Sequence, residues 1–339
     1  MESKRGSNGF FSNNGYLSVL KRYPKFIRNT ILGKPRIIYL EVTKRCNAQC
    51  DFCDYWKSPK QKELKDYRPI VEYFNPFAVV LTGGEPLLRS DIAHIIKETK
   101  SSSTEFVALI TNGSLLTPQK AYEFYRNGLD SISISLNYPN MAHDEQRKIP
   151  GLYQHIVDIL PEIKKIGFKR LGINTVIMDT NLDQIIDLAK RSIEWGVGIT
   201  FSCYSSKKNG NKRHVIEKNH LIYLKEVVES ILQMKQNGTR VFNSDWYLKR
   251  IIDFNRNGFI PNCQAGKLTV HITPDGYVRP CPDLPVASYF SDYNSKHIKC
   301  VSCKICWYAC RGEVESPLTL GRILELVRFQ KENNRRAIL

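Results

Sequence analysis

The stretch RIIYLEVTKRCNAQCDFC, residues 36–53, decides the reading of this chain. Residues 36–43 are a β-branched apolar run of strand type. The run feeds a loop carrying Cys46, Cys50 and Cys53, with three and then two residues between them. Such spacing lets one tight loop aim three thiolates at one cluster. Three cysteines leave one iron of a four-iron cluster without a protein ligand, and an open position is a catalytic feature, because structural sites take all their ligands from the protein. A structural zinc site would need a fourth Cys or His nearby, and the loop offers none before His94.

Working outward, short β-branched runs at 78–82, 106–111, 131–137, 171–178 and 199–204 alternate with longer stretches of helical periodicity. This alternation is the mark of repeated βα units around a parallel sheet. With the first strand, these runs are too few to close an eight-stranded barrel. The expected fold is therefore α/β, a partial (β/α)6 barrel over residues 36–205.

Before it, residues 1–35 hold a Ser-, Asn- and Gly-rich tail and a basic amphipathic helix at 16–32, with a break near Pro24. Residues 206–258 read as a helical bridge: a basic loop with Lys207, Lys208, Lys212 and Arg213, then helices at 219–237 and 244–255. From 259 to 316 the texture becomes cysteine-rich, with a β-hairpin whose strands at 268–273 and 277–280 meet in a turn at Pro274, Asp275 and Gly276. Residues 317–339 read as a terminal helix with a basic end at Lys331, Arg335 and Arg336.

The composition of the 339 residues, 42% apolar and 24% charged, excludes disorder and collagen-like repetition for the bulk of the chain. No uncharged apolar run approaches the roughly 18 to 20 residues of a membrane span. Ten cysteines without a secretion signal point to metal or cluster ligation in a cytoplasmic protein rather than to disulfides. The net charge of +17 suits an anionic substrate, a nucleic acid or an acidic membrane surface, and equally a solvated surface with biased Lys usage. The stripe at 16–32 fits peripheral membrane contact or packing against the chain's own barrel, and packing is expected.

The three-cysteine loop directly after the first strand of a partial βα barrel resembles the radical S-adenosylmethionine (SAM) superfamily. The resemblance implies a [4Fe-4S] cluster whose open iron is chelated by the amine and carboxylate of SAM. It also implies reductive cleavage of SAM to a 5′-deoxyadenosyl radical, fed by an electron donor such as ferredoxin or flavodoxin. Phe52 stands where the family usually has an aromatic beside the adenine. Thr82, Gly83, Gly84, Glu85 and Pro86 resemble the segment that binds the SAM amino group, the paired glycines permitting close backbone approach. Ser133, Ser135 and Asn137 alternate on one face of the fourth strand, a face that in similar enzymes bonds SAM. His143, Asp144, Arg147, Pro150 and Gly151 match a pattern that follows this strand in many members, with Arg147 suited to the SAM carboxylate. Thr111, Asn112 and Asn174 point towards the top of the barrel, and Asn112 is carried as a cofactor contact.

A second constellation comprises Cys263, Gly276, Cys281, Cys300, Cys303, Cys306 and Cys310. Twelve residues between Cys263 and Gly276 and four between Gly276 and Cys281 resemble the SPASM or twitch extension of radical SAM enzymes. Only two residues separate Cys303 from Cys306, where SPASM domains usually have five, and no further cysteine follows Cys310. Six thiolates allow one complete auxiliary iron-sulfur cluster with two to spare, or two clusters with three ligands each; a single cluster is expected, with Cys263 and Cys281 its first ligands, and a zinc ribbon is the alternative for the clustered four. Cys203 reads as a small buried apolar residue.

The substrate is not written in these motifs. A small anionic molecule, such as a nucleotide sugar, cofactor precursor or lipid head group, suits the charge and the short stretch before the barrel, which is too short for the leader-binding domain of many peptide-modifying members. Peptide modification ranks second. A metal-bearing nucleic-acid binder is the alternative from another class, and the scattered basic residues argue against it.

Overall fold

The computed structural model describes residues 24–102, 104–207, 209–294 and 303–317. Six strands, β1 (Ile37–Thr43), β2 (Ala78–Gly83), β3 (Phe106–Thr111), β4 (Ser131–Ser135), β5 (Arg170–Ile177) and β6 (Gly198–Cys203), pair in parallel in sequence order. Each coincides with an expected strand to within two residues. Between them lie α2 (Arg68–Phe74), α3 (Ile92–Ser101), α4 (Pro118–Arg126), α5 (Ala142–Arg147), α6 (Leu152–Lys165) and α7 (Ile185–Glu194), after α1 (Pro24–Ile31). The bridge supplies α8 (Leu221–Gln236) and α9 (Asp245–Asn257).

Alternation along the strands builds both the core and the lumen. Ile38, Leu40 and Val42 of β1, with Val79, Leu81, Val107, Leu109, Ile132 and Ile134, are buried in one continuous apolar cluster shared with the helices. The residues between them point inward, and many are small or polar: Ala108, Ser131, Ser133, Ser135, Thr200 and Ser202. Because such side chains cannot fill the centre, the barrel keeps a cavity of about 1280 Å³.

The sheet does not stop at β1. Strand β7 (Thr269–Ile272) pairs with β1 in parallel, from Ile37 opposite Thr269 to Leu40 opposite Ile272. Antiparallel β8 (Tyr277–Arg279) and β9 (Ser288–Tyr289) follow, giving the order β6-β5-β4-β3-β2-β1-β7-β8-β9. The expected hairpin is thus present, and it is hydrogen-bonded to the barrel sheet because β1 offered a free edge.

Helix α10 (Ala309–Glu315) links β6 to the residue that precedes β1. At one end Ala309 N–H donates to Ser202 Oγ at 3.2 Å. At the other, Arg36 Nη2 donates to the Val314 carbonyl at 2.7 Å.

Of the expected helix at 16–32, the described part is Pro24–Ile31. Its Asn29 amide donates to the carbonyls of Pro35 and Asn75, and Phe26 meets Phe77 edge-on at 5.6 Å, so this part packs on the barrel. The expected helix beyond residue 317 lies outside the described residues. Among those described, no helix is long and apolar enough to cross a membrane.

Candidate functional site

The cysteine loop leaves the C-terminal end of β1 and has little hydrogen bonding of its own: Cys53 N–H reaches Cys50 O at a long 3.4 Å. Its shape comes from neighbours. Gln49 N–H donates to Arg147 O at 3.0 Å, and Asn112 Nδ2 donates to Asn47 Oδ1 at 2.9 Å. Cys46, Cys50 and Cys53 all face the barrel cavity. Burial pushes the Cys46 thiol up to about 11 and raises Cys50 as well, although Arg147 Nη1 lies 3.6 Å from the Cys50 sulfur and counteracts this. Burial disfavours a bare thiolate, and a cationic metal centre supplies the compensating charge. Three thiols on one cavity wall therefore fit a cluster with one iron left for another ligand.

The glycine pair after β2 has a definite task. A Cβ on Gly83 would overlap the Thr43 carbonyl, and one on Gly84 would overlap the carbonyls of Arg45 and Lys44. The bare backbone is needed so that Gly84 N–H can donate to Thr43 O and Glu85 N–H to Arg45 O, each at 2.8 Å. Both glycines line the cavity; Glu85 does not. The Glu85 carboxylate, 1% exposed, is occupied within the protein: Thr111 Oγ1 at 2.7 Å, Leu87 N–H at 3.0 Å and Asn112 N–H at 2.7 Å all donate to it.

Ser133, Ser135 and Asn174 reach the cavity through the strand register, and Asn112, Arg147 and Phe52 reach it from the segments that follow β3, β4 and β1. The Arg147 guanidinium lies 5.2 Å from the Phe52 ring centroid, so these two expected cofactor contacts form one unit. Asn137 is turned to structural bonds with Gln146 and Val176, and Asp144 caps the start of α6 through Gly151 N–H and Tyr153 N–H.

On the opposite wall, Cys263, Cys281, Cys303, Cys306 and Cys310 border a second, small cavity of about 20 Å³, while Cys300 lies outside the described residues. Burial raises Cys281 to about 11 and Cys306 to about 12. Burial would also raise Cys303, but Lys207, donating to its sulfur at 3.0 Å, brings that thiol below its ordinary value. Among the described residues no three Cys, His, Asp or Glu side chains converge on a point as the ligands of a single ion do. Ligands of a cluster each take a different iron and stand farther apart. Cys203 is buried, as expected, beneath Tyr247.

Several partners could not be read from spacing. Glu41, buried in the wall of the site, is ion-paired with Lys44 and accepts from Tyr55 Oη at 2.6 Å. Burial would raise its carboxyl, but Lys44, His271 and the Tyr55 hydroxyl together outweigh that, leaving it below the ordinary range. Asp283 accepts from Tyr308 Oη at 2.7 Å at the edge of both cavities. Asp51 is paired with His214.

A partial parallel barrel with three thiols on the loop after its first strand, facing an open lumen, defines an enzyme of the radical SAM class. Residues 40–191 match the family profile described as the Radical SAM superfamily, so this part of the chain is a radical SAM domain. A domain of this family implies a [4Fe-4S] cluster and SAM as cofactors. A protein named as a probable GTP 3′,8-cyclase from Thermoplasma volcanium is 26% identical over 272 residues, covering 74% of this chain and 81% of that one. An AdoMet-dependent heme synthase of Oleidesulfovibrio alaskensis is 31% identical over 169 residues, covering 47% and 43%. In fold, the chain resembles anSMEcpe, solved with AdoMet and the Cp18Cys peptide, with a TM-score of 0.61, 18% identity, and coverage of 90% of this chain and 98% of that one.

Proposed function

We propose that Cys46, Cys50 and Cys53 hold the [4Fe-4S] cluster and that the enzyme carries out radical chemistry on a small anionic substrate bound in the barrel lumen. When bound, cluster and SAM supply a 5′-deoxyadenosyl radical able to take hydrogen from that substrate. The observation that carries this reading is the continuous cavity running from the three thiols to Asp283, Tyr308 and Cys310. It is large enough for SAM and a second small molecule together.

Arg147, Lys164, Lys169, Arg170 and Arg240 line this cavity against Glu105, Asp283 and Glu313, so its field favours an anion. The cyclase relative, named for GTP, is consistent with this choice. Gly83, Gly84, Asn112, Ser133, Ser135, Arg147 and Phe52 would hold SAM, with Arg147 set against its carboxylate and Phe52 beside its adenine. Glu85 would act from behind, by fixing the Asn112 backbone. Four of the cysteines around the small cavity, Cys263 and Cys281 first among them, would hold one auxiliary iron-sulfur cluster. A ferredoxin or flavodoxin would deliver the electron.

The test is anaerobic reconstitution, counting iron and sulfide and following 5′-deoxyadenosine release under dithionite in wild type and in the Cys46, Cys50, Cys53 triple alanine variant. About eight irons per chain, falling by about four with loss of cleavage in the variant, supports the reading; zinc without cleavage overturns it. Stimulation of 5′-deoxyadenosine release by fractionated anionic metabolites supports the substrate class. Stimulation by peptides alone replaces it with peptide modification, and steeply salt-dependent retention on DNA would point to a nucleic acid.

A further inference from the structure

The chain that leaves β6 returns over the cysteine loop and grips it at one residue. Asn209 Nδ2 and Asn211 Nδ2 both donate to the Asp51 carbonyl, at 2.9 and 3.1 Å. His214 Nε2 stands 3.0 Å from the Asp51 carboxylate. Asp51 lies between Cys50 and Cys53 in the chain, so these bonds act directly on the segment that carries two of the three thiols.

The grip is itself held firmly. His214 is 3% exposed, and its Nδ1 lies 2.9 Å from Thr180 Oγ1. Its ring meets Phe52 edge-on at 6.3 Å and Tyr204 at 5.4 Å. Asp51 and Thr180 together engage both ring nitrogens of His214, which fixes the ring in one plane. Tyr204 Oη donates to Asn211 O at 2.7 Å. At its far side the same segment is anchored by Ser205 Oγ, which donates to Ile305 O at 3.1 Å, and by Lys207 at Cys303.

We propose that the described residues 204–207 and 209–214 act as a strap that positions the cysteine loop, with His214 the positioning residue for SAM cleavage. The loop makes few bonds within itself, and groups that hold a reacting centre must be placed to about half an ångström by residues that are themselves locked. Asn47 and Gln49 fasten its entry to Asn112 and Arg147, whereas the Asp51 side is fastened by the strap. The proposal rests on the reading that Cys46, Cys50 and Cys53 are the ligands.

The test compares reconstituted wild type with His214→Ala, His214→Gln and the double variant Asn209→Ala, Asn211→Ala. Iron content and circular dichroism are measured first, then the electron paramagnetic resonance spectrum of the reduced cluster with and without SAM, and its midpoint potential. The expected result is retained iron with a shifted, broadened SAM-dependent spectrum in His214→Ala and in the double asparagine variant, and a fall of about tenfold in uncoupled SAM cleavage. His214→Gln, whose amide can still donate to Asp51, restores the wild-type spectrum. Wild-type spectra and cleavage in both His214→Ala and the double variant overturn the proposal. Persistence of the SAM-responsive signal in the triple cysteine variant instead overturns the ligand assignment, so the two failures are distinguishable.

Discussion

The carboxylate of Glu85 accepts the backbone N–H of Asn112 at 2.7 Å, joining the turn after β2 to the end of β3 directly beneath the cysteine loop. With Thr111 Oγ1 and Leu87 N–H also donating to it, this buried group has its acceptor sites committed to donors of the protein. Glu85→Gln replaces one acceptor oxygen by an NH₂ group and leaves a buried donor facing another donor. A loss of about 1–3 kcal/mol in urea unfolding is expected.

Gly84 and Gly151 separate two reasons for glycine. A methyl group on Gly84 would run into the backbone of Lys44 and Arg45, which cannot yield without moving the stem of the cysteine loop. Gly151 has nothing within reach of its Cβ and carries only the cost of a positive φ of 76°. Gly84→Ala is expected to cost about 3 kcal/mol and to lower iron incorporation. Gly151→Ala costs about 1 kcal/mol with iron unchanged, as read by thermal unfolding and iron analysis.

Burial, with Arg147 adding to it, holds the His143 imidazole well below its ordinary value of 6.5. The unfolded chain takes up a proton below that pH while the folded chain does not, so stability falls as pH drops through and below about 6.5. A single such group contributes a slope of up to about 1.4 kcal/mol per pH unit. His143→Asn keeps an acceptor for Asn137 N–H and removes the titration. Its unfolding free energy between pH 7 and 5 should fall less steeply than that of wild type.

Arg311 donates to the carbonyls of Cys306, Ile260 and Pro261 and pairs with Glu315, and both partners of the pair are nearly inaccessible. Arg311→Ala strands a buried carboxylate and three carbonyls, with an expected loss of about 3–5 kcal/mol. Combining it with Glu315→Leu should recover part of that loss in denaturant unfolding, because the stranded charge is then gone.

The strands were legible because period-two alternation and β-branched runs are local properties of the chain. The cysteine loop was legible because its spacing within eight residues is itself the signal. Gly83 and Gly84 were legible as a motif, but their function within the fold was not: the atoms that forbid a Cβ there belong to residues 43–45, some forty positions away. Glu85 shows the same limit, since the sequence cannot say whether a carboxylate faces a cavity or the protein's own backbone donors. Its partners at Thr111 and Asn112 decide that.

By itself, the sequence determined the βα alternation, the strand that launches the three thiols and the existence of a second cysteine-rich segment, because periodicity and ligand spacing act over a few residues. The tertiary structure alone decided that β7 extends the sheet from β1, that α10 links β6 to the residue before β1, and that Asp51 meets His214 across 163 positions of chain. Such contacts depend on the accumulated geometry of every intervening element, and no short pattern encodes that sum.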